Sequence, residues 1–435
     1  MNTNNTFKTK LNEKSLMIFL PHRSYLELVS IVIIILFSFS LFCLSDFKIS
    51  YSDSNQTDHD QLIGVNMKGM HTSLNYEKFP NVTISSDYYD KSFKLIKNAG
   101  LNHVRYVLYW EAYENNPTLF LQELENVANL ADKWGLNMIY DNHQFHTSSW
   151  LDNKRGTGFP SFLFDKNIYP INSGVTTSSS NSNTTTELWW TNWWNRTISD
   201  KENTRDGWIL QAHFLKILVK YLDTHNSTKG YEILNEPQVF SMDQWSKIGK
   251  YYEYMINELR NHTNKTIVID MTIPIKFQDS ILNLTSENMA KIIPKDRNSI
   301  FKISLYGIPF DDNYQNRKVE LLMNVSKIAK IPLYVGEWNN VNREKKLTEN
   351  NTDDVSKINS TNSDLTQNES DTLVKKFTSL NVYGWAFWNW NYVNTPPQNF
   401  NLINFSTNGD IVPTKYFNIL KNSVDELKMN MTSKT

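Results

Sequence analysis

The segment YEILNEPQ, residues 231–238, joins a short apolar run to a polar end at Glu236. Its length and its aromatic and β-branched residues predict a buried β-strand that ends at the Asn-Glu-Pro sequence. The segment PLYVGEW, residues 332–338, has the same form and ends at Glu337. Because an unpaired buried charge is costly, a carboxylate at the end of an apolar strand requires a partner or a function. The two segments therefore predict both a sheet and a site at its edge.

Strand-like and helix-like segments alternate on both sides of these two segments. The strands are predicted at residues 62–70, 103–110, 137–145, 231–238, 266–274, 299–307, 332–338 and 383–390. The helices that follow them are predicted at residues 87–98, 119–134, 207–222, 242–260, 286–292, 317–329, 371–380 and 414–427. This alternation over residues 61–428 predicts an α/β fold, a (β/α)8 TIM barrel. A doubly wound open sheet is the alternative, and the lack of a glycine-rich phosphate turn after the first strand disfavours it.

The composition excludes several classes of partner. The chain has 435 residues, of which 40% are hydrophobic, so it can bury a large core. A formal net charge of −1 provides no field that would attract a nucleic acid.

Cys43 is the only cysteine, so no disulfide can form within the chain. Clustered cysteines and a His-x-x-x-His helix are both lacking, so we expect no metal and no cofactor. We expect the protein to be a monomer.

Residues 28–44 (LVSIVIIILFSFSLFCL) form an apolar stretch without a charged residue. Its length is near the lower limit for a helix that crosses a bilayer. Basic residues precede it and acidic residues follow it, so the positive-inside rule places residues 1–27 in the cytoplasm and the remainder outside. We predict a single-pass transmembrane anchor in the cell membrane, a linker over residues 45–60 and a tail over residues 429–435. The alternatives are a cleaved signal peptide, which would release a secreted domain, and a buried core helix.

Two insertions interrupt the repeating pattern, at residues 147–206 and 341–370. Both follow the carboxyl ends of predicted strands, the face that carries the active site in barrels of this type. The second insertion is rich in Asn, Thr, Ser, Lys and Asp and is predicted to be weakly ordered. The first contains ELWWTNWW at residues 187–194. Its tryptophans either stack on a sugar or pack the loop onto the barrel rim.

Glu236 and Glu337 are predicted to lie at the same mouth of the barrel, on opposite sides of its axis. Two carboxylates that face each other across a sugar can cleave a glycosidic bond, because one protonates the leaving oxygen while the other attacks or activates water. We expect a separation of about 5 Å, which corresponds to retention of configuration at the anomeric carbon. Glu232 lies deeper on the same strand, and we expect it to pair inside the barrel.

These segments resemble glycoside hydrolase family 5, the cellulase-type family of (β/α)8 barrels, and the resemblance covers nearly all of residues 61–428. It implies that Glu236 is the acid/base, that Glu337 is the nucleophile and that the chain is a retaining glycosidase. The resemblance also implies a set of supporting residues: Arg105 and Tyr306, which bond the nucleophile, His143 on the third strand, Asn235, which contacts the sugar 2-hydroxyl, and Trp388, the platform beneath the sugar.

One position departs from the family pattern. The family usually carries His-x-Tyr at the end of the sixth strand, whereas this chain has Ser304, Leu305 and Tyr306. The serine puts the rate and the pH optimum in doubt, and it is the feature that favours a degenerate barrel without activity.

Several of these residues have a second interpretation. Arg105 is alternatively the partner of a carboxylate in the barrel core, and His143 is alternatively a structural histidine. His146, which follows closely in the sequence, is an alternative to His143. Trp385 competes with Trp388 as the platform, because both belong to the eighth strand segment.

The leading hypothesis is a retaining hydrolase of a β-1,4-linked polysaccharide, glucan or mannan. A non-catalytic carbohydrate-binding barrel at the cell surface is the second hypothesis. The third is a glycosidase that acts on glycolipid or glycoprotein glycans. A membrane anchor favours the third, because a tethered enzyme meets nearby substrate more readily than distant polymer.

Overall fold

Eight parallel strands close into a barrel in which each strand pairs with the next and the eighth pairs with the first. The strands are β1 (Leu62–Lys68), β2 (His103–Leu108), β3 (Asn137–Asn142), β4 (Thr228–Glu232), β5 (Thr266–Asp270), β6 (Ser299–Tyr306), β7 (Leu333–Asn339) and β8 (Gly384–Phe387). The predicted (β/α)8 barrel is confirmed. The computed structural model describes residues 61–75, 85–174, 184–200, 204–271, 285–306, 313–339, 365–391 and 401–432.

Helices lie between successive strands, close to their predicted positions. They are α1 (Tyr88–Asn98), α2 (Trp110–Asn115), α3 (Pro117–Trp134), α4 (Thr184–Trp194), α5 (Gly207–Leu222), α6 (Met242–Arg260), α7 (Ser286–Lys291), α8 (Asn313–Ala329), α9 (Gln367–Ser379) and α10 (Lys415–Thr432). A hairpin of β9 (Ile403–Phe405) and β10 (Ile411–Pro413) precedes α10. Helix α10 continues into the segment predicted as a tail.

The ends of α3 show how local sequence sets the helix boundaries. The Asn116 side chain accepts a hydrogen bond from the Leu119 backbone N–H, and Pro117 occupies the first turn, where its missing N–H costs nothing. Gly135 ends the helix in a left-handed conformation with φ 58°. Helix α9 begins earlier than predicted because Thr366 and Glu369 form a capping box.

The predicted membrane segment at residues 28–44 lies outside the described residues, together with its flanks at residues 1–27 and 45–60. Most of the insertion at residues 341–370 also lies outside them. Within the part of the chain that the structure describes, no helix combines the length and apolar character needed to cross a bilayer.

The barrel interior changes from apolar to charged along the strands. A small apolar cluster separate from the main core consists of Leu62, Ile139, Val268, Ile300 and Tyr334. Because side chains alternate along a strand, the residue two positions further on returns to the same face. At these next positions β3, β5 and β6 carry Asp141, Asp270 and Lys302, which are all fully buried. A charged layer therefore lies above the apolar one, toward the carboxyl ends of the strands.

Strand β7 contains one extra residue at the level of this charged layer. Val335 pairs with Ile303 and Glu337 pairs with Ser304, so the register skips Gly336. A bulge of this kind re-aims the side chains that follow it, here beginning with Glu337. A Cβ atom on Gly336 would lie 2.6 Å from Lys302 Cε, so the absence of a side chain there makes room for the lysine.

Candidate active site

Arg105, on β2, lies at the centre of the charged layer. Its Nε and Nη2 donate to the two carboxylate oxygens of Glu232, each at 2.7 Å. Its Nη1 donates to Glu337 Oε1 at 2.9 Å and to Asn66 Oδ1 at 2.8 Å. The guanidinium thus holds Glu232 and Glu337 at the same time, and its contacts fit both interpretations of Arg105 made from the sequence.

Glu337, on β7, is buried and receives a hydrogen bond on each carboxylate oxygen. The Tyr306 hydroxyl donates to Oε2. Arg105 donates to Oε1, and Lys302 Nζ lies 3.4 Å from that same atom. Burial opposes ionisation, but the positive charges of Lys302 and Arg105 outweigh it and hold the pKa of Glu337 well below the ordinary glutamate value. Glu337 is therefore ionised at neutral and mildly acidic pH.

Glu236 lies beyond the end of β4 and is partly exposed. Its φ of 40° is in the left-handed region, which is costly for a residue with a side chain. Two hydrogen bonds fix the backbone in this conformation. The Glu236 N–H donates to Asp270 Oδ2 at 2.8 Å, and its carbonyl oxygen accepts from Gln144 Nε2 at 2.7 Å.

Asn235 and His143 extend the polar network around the charged layer. Asn235 Oδ1 accepts from Arg105 Nη2 at 2.9 Å and from Lys302 Nζ at 2.6 Å. Asn235 Nδ2 lies 3.4 Å from His143 Nε2, and His143 Nδ1 lies 2.7 Å from Asp141 Oδ2. Burial lowers the pKa of His143 to about 3, so the imidazole is neutral and donates from Nδ1 to Asp141. Burial also raises the pKa of Asp141 to about 7.

The structure distinguishes Trp388 from its alternative Trp385, and His143 from its alternative His146. Trp388 is partly exposed and its ring stacks on His143, with centroids 5.5 Å apart and an interplanar angle of 16°. Trp385 is fully buried and packs edge-on against Trp338 in the outer core. His146 lies 3.0 Å from Asp152 in the first insertion, whereas His143 contacts the charged layer. Trp388 and His143 are therefore the residues placed at the site.

Sequence reasoning missed Lys302 and Asp270. Lys302 Nζ donates to Asp270 Oδ2 at 2.8 Å and to Ser304 Oγ at 2.9 Å. Burial alone would lower the pKa of Lys302, but the carboxylates of Asp270 and Glu337 outweigh burial and raise it. The signal was present, because Lys302 stands between apolar residues at an inward position of a strand. Ser304, the position that departs from the family pattern, is buried and bonded to this lysine.

The tryptophans of α4 belong to the packing of the first insertion. Trp189, Trp190, Trp193 and Trp194 are all buried. Their rings pack against neighbours such as Phe159, with centroids 4.7 Å apart from Trp189. Trp190 Nε1 donates to Thr147 Oγ1 at 2.9 Å, and Trp194 Nε1 donates to the Gln238 carbonyl at 2.8 Å. Of the two interpretations of ELWWTNWW, packing onto the barrel rim is the one that the burial supports.

Comparison with known proteins relates the chain to cellulase-type glycosyl hydrolases. A family model described as cellulase (glycosyl hydrolase family 5) matches residues 55–394. The fold is similar to that of an endogalactoceramidase, with a TM-score of 0.59 and 14% identity over 84% of this chain and 80% of that chain. Endo-glycoceramidase II from Rhodococcus sp., solved as a lactosyl-enzyme intermediate, gives a TM-score of 0.59 and 14% identity over 83% of this chain and 78% of that chain.

A third solved structure extends the similarity to a polysaccharide-degrading enzyme. The catalytic domain of the endoglucanase Cel5A from Thermobifida fusca gives a TM-score of 0.51 and 14% identity over 84% of this chain and 92% of that chain. At this identity the solved structures demonstrate the shared fold alone. No curated protein sequence matches the chain significantly.

Proposed function

The chain belongs to glycosyl hydrolase family 5 and is a glycosidase that hydrolyses O-glycosyl compounds, and we propose that it does so by double displacement at Glu236 and Glu337. Glu337 attacks the anomeric carbon while Glu236 protonates the leaving oxygen, which gives a glycosyl-enzyme. Glu236, now a carboxylate, takes a proton from water as that water displaces Glu337. Glu236 thus ends protonated and the configuration is retained.

The surroundings of Glu337 are the observation that carries this proposal. A nucleophilic carboxylate must be ionised and aimed, and Arg105, Lys302 and Tyr306 provide both conditions. Tyr306 bonds Oε2 while Arg105 bonds Oε1, so the carboxylate plane is fixed from both oxygens.

Three other residues support the binding of a sugar. The partly exposed Trp388 ring is the proposed platform beneath the pyranose at the cleavage point. Asn235, whose oxygen is held by Arg105 and Lys302, is the proposed contact of the sugar 2-hydroxyl. The neutral His143 stacks on the Trp388 ring and helps to fix its orientation.

For the substrate we propose a β-1,4-linked glucan or mannan, cleaved within the chain. The family-model match carries a cellulase description, which supports this choice. A second candidate is a glycolipid, because endogalactoceramidase and endo-glycoceramidase II are among the most similar folds. The proposed anchor at residues 28–44 would hold the domain at the outer face of the cell membrane, where glycolipid headgroups are accessible.

The test uses the full chain in detergent micelles with cellotetraose, mannotetraose and lactosylceramide as substrates. Release of glucose or mannose oligomers would support the polysaccharide, and release of lactose from lactosylceramide would support the glycolipid. Proton NMR of the first product should show the β-anomer, because double displacement retains configuration. A folded protein that cleaves none of the three would overturn the proposal and favour the non-catalytic binding barrel. An α-anomer as the first product would overturn double displacement.

A further inference from the structure

Lys302 is a fully buried cation in the interior of the barrel. Transfer of an ammonium group from water to a protein interior is expensive unless several partners surround it. Its Nζ has acceptors at 2.6 Å on Asn235, at 2.8 Å on Asp270 and at 2.9 Å on Ser304. The bulge at Gly336 leaves the space through which its alkyl chain passes.

The contacts of Lys302 reach both proposed catalytic glutamates. Directly, Nζ lies 3.4 Å from Glu337 Oε1. Indirectly, Asp270 Oδ2 accepts from Lys302 Nζ and from the Glu236 backbone N–H, in each case at 2.8 Å. One ammonium group therefore connects the side chain of one glutamate to the backbone of the other.

We propose that Lys302 is a positioning residue of the reaction, which holds the Glu337 carboxylate in place and, through Asp270, fixes the backbone that presents Glu236. The inference rests on the proposed function, since it assigns a role to Lys302 in the double displacement. It also accounts for the contact of Ser304, whose hydroxyl accepts a hydrogen bond from Lys302 Nζ at 2.9 Å.

The positive charge of Arg105 is shared among three carboxylates, those of Asp141, Glu232 and Glu337. The guanidinium makes its two shortest hydrogen bonds to Glu232, and it also lies 2.9 Å from Asp141. Lys302 adds a second positive charge on the side of Glu337 that faces β5 and β6. The titratable and charged groups around Lys302 and Glu337 are Arg105 on β2, Asp141 and His143 at β3, Glu232 on β4, Asp270 on β5, Tyr306 on β6 and Tyr334 on β7.

The test compares Lys302→Met with the unchanged chain on 2,4-dinitrophenyl β-cellobioside over a range of pH. Without Lys302 the carboxylate of Glu337 loses one of its cations, so its pKa rises. The acid limb of kcat/KM should move up by about one pH unit or more, and kcat/KM at pH values below the wild-type limb should fall by about tenfold or more. Lys216→Met, which removes an ion pair with Glu258 on the outer helices, is the matched control and should leave the limb unmoved.

A purely structural role predicts a different result. Lys302→Met would then lower thermal stability while the acid limb and kcat/KM stayed at wild-type values, and this outcome would overturn the proposal. If Lys302→Met fails to fold, Lys302→Gln retains a polar head group and the same readout applies. Asp270→Asn tests the second connection, because a displaced Glu236 should slow substrates with poor leaving groups more than dinitrophenyl glycosides. Equal slowing of both substrates would remove Asp270 from the proposal.

Failure of the proposed function gives a distinct pattern. If the wild-type chain turns over no glycoside, the coupling of Lys302 to Glu337 is still measured by a double-mutant cycle in Tm with Lys302→Met and Glu337→Gln. Non-additivity of about 2 °C or more at pH 7 would support the electrostatic part of the inference. Additive shifts would overturn that part whatever the enzyme does.

Discussion

The ends of β4 and β7 each carry one glutamate, and they hold it in opposite ways. Glu337 is buried and is fixed through its side chain by two cations and a tyrosine hydroxyl. Glu236 is partly exposed and is fixed through its backbone, in a left-handed conformation, by Asp270 and Gln144. The same residue type thus acquires a buried, charge-stabilised environment in one place and a partly exposed one in the other. A pair of carboxylates with contrasting environments is the arrangement by which an acid and a nucleophile are separated.

The largest effect is expected for Glu337→Gln. The amide cannot attack the anomeric carbon, and it cannot accept the hydrogen bonds of both Arg105 and Tyr306. We expect kcat to fall by a factor on the order of 10⁴ or more on every substrate, including dinitrophenyl glycosides. Steady-state kinetics on the best substrate of the wild-type chain measures the loss.

Glu253→Gln on the exposed face of α6 is the control for this change, because it removes the same charge away from the site. It should retain wild-type rates. A residual rate in Glu337→Gln within about tenfold of wild type would correspond to a loss of only about 1.4 kcal/mol in transition-state binding. This result would contradict the assignment of the two roles.

A smaller and substrate-dependent effect is expected for Glu236→Gln. General acid catalysis contributes roughly 10²–10⁴-fold, and a leaving group that needs no proton does not require it. Poor leaving groups should therefore lose about that factor, whereas glycosyl-enzyme formation from dinitrophenyl glycosides should stay close to wild type. A burst of dinitrophenolate followed by slow turnover is the measurement. Equal losses on both substrates would indicate that the two strand ends do not differ in role.

The stability of the fold should depend on pH because of two buried carboxylates of the charged layer, Asp141 and Glu232. Burial raises the pKa of Asp141 and of Glu232 to about 7. A raised carboxylate pKa stabilises the fold below the unfolded-state pKa, and the stabilisation is lost as pH rises through 7. Glu337 has a lowered pKa, so its contribution is present above pH 4.5 and is lost as pH falls below that value.

The free energy of unfolding, measured by thermal unfolding between pH 4 and pH 8, should therefore fall as the pH rises toward neutral. The expected fall is on the order of 1–3 kcal/mol. Asp141→Asn should flatten this decline, because it removes one of the groups that must lose a proton. A decline of the same size in Asp141→Asn would show that other residues cause it.

Much of the barrel could be predicted because its signals are local. Short apolar strands, amphipathic helices and the polar ends at Glu236 and Glu337 each lie within one segment of sequence. The start of α9 was placed too late because its capping box, Thr366 with Glu369, lies within a stretch of polar residues that looks like loop. The resemblance to the family predicts His143 and Trp388 as site residues, and the structure places their rings side by side.

The remaining parts of the site depend on contacts between distant strands. Lys302 and Asp270 are single charged residues in apolar strands, and only barrel closure brings them to Asn235 and Glu236. The bulge at Gly336 could not be inferred either, since it is defined by the register between β6 and β7. For ELWWTNWW, composition favours sugar stacking and packing equally, and burial separates the two interpretations.

The smallest effect is expected for Trp194→Phe, which tests how the end of β4 is held. The indole N–H donates to the Gln238 carbonyl, two residues beyond Glu236. Loss of this hydrogen bond should cost about 1 kcal/mol of stability and should lower kcat by no more than about fivefold on poor leaving groups. The acid limb set by Glu337 should stay unchanged, because α4 makes its bond to the β4 loop. If Trp194→Phe moved that limb, the indole contact would also affect Glu337, and its assignment to the loop after β4 alone would be wrong. If it raised KM for oligosaccharides alone, the tryptophan would contact sugar after all.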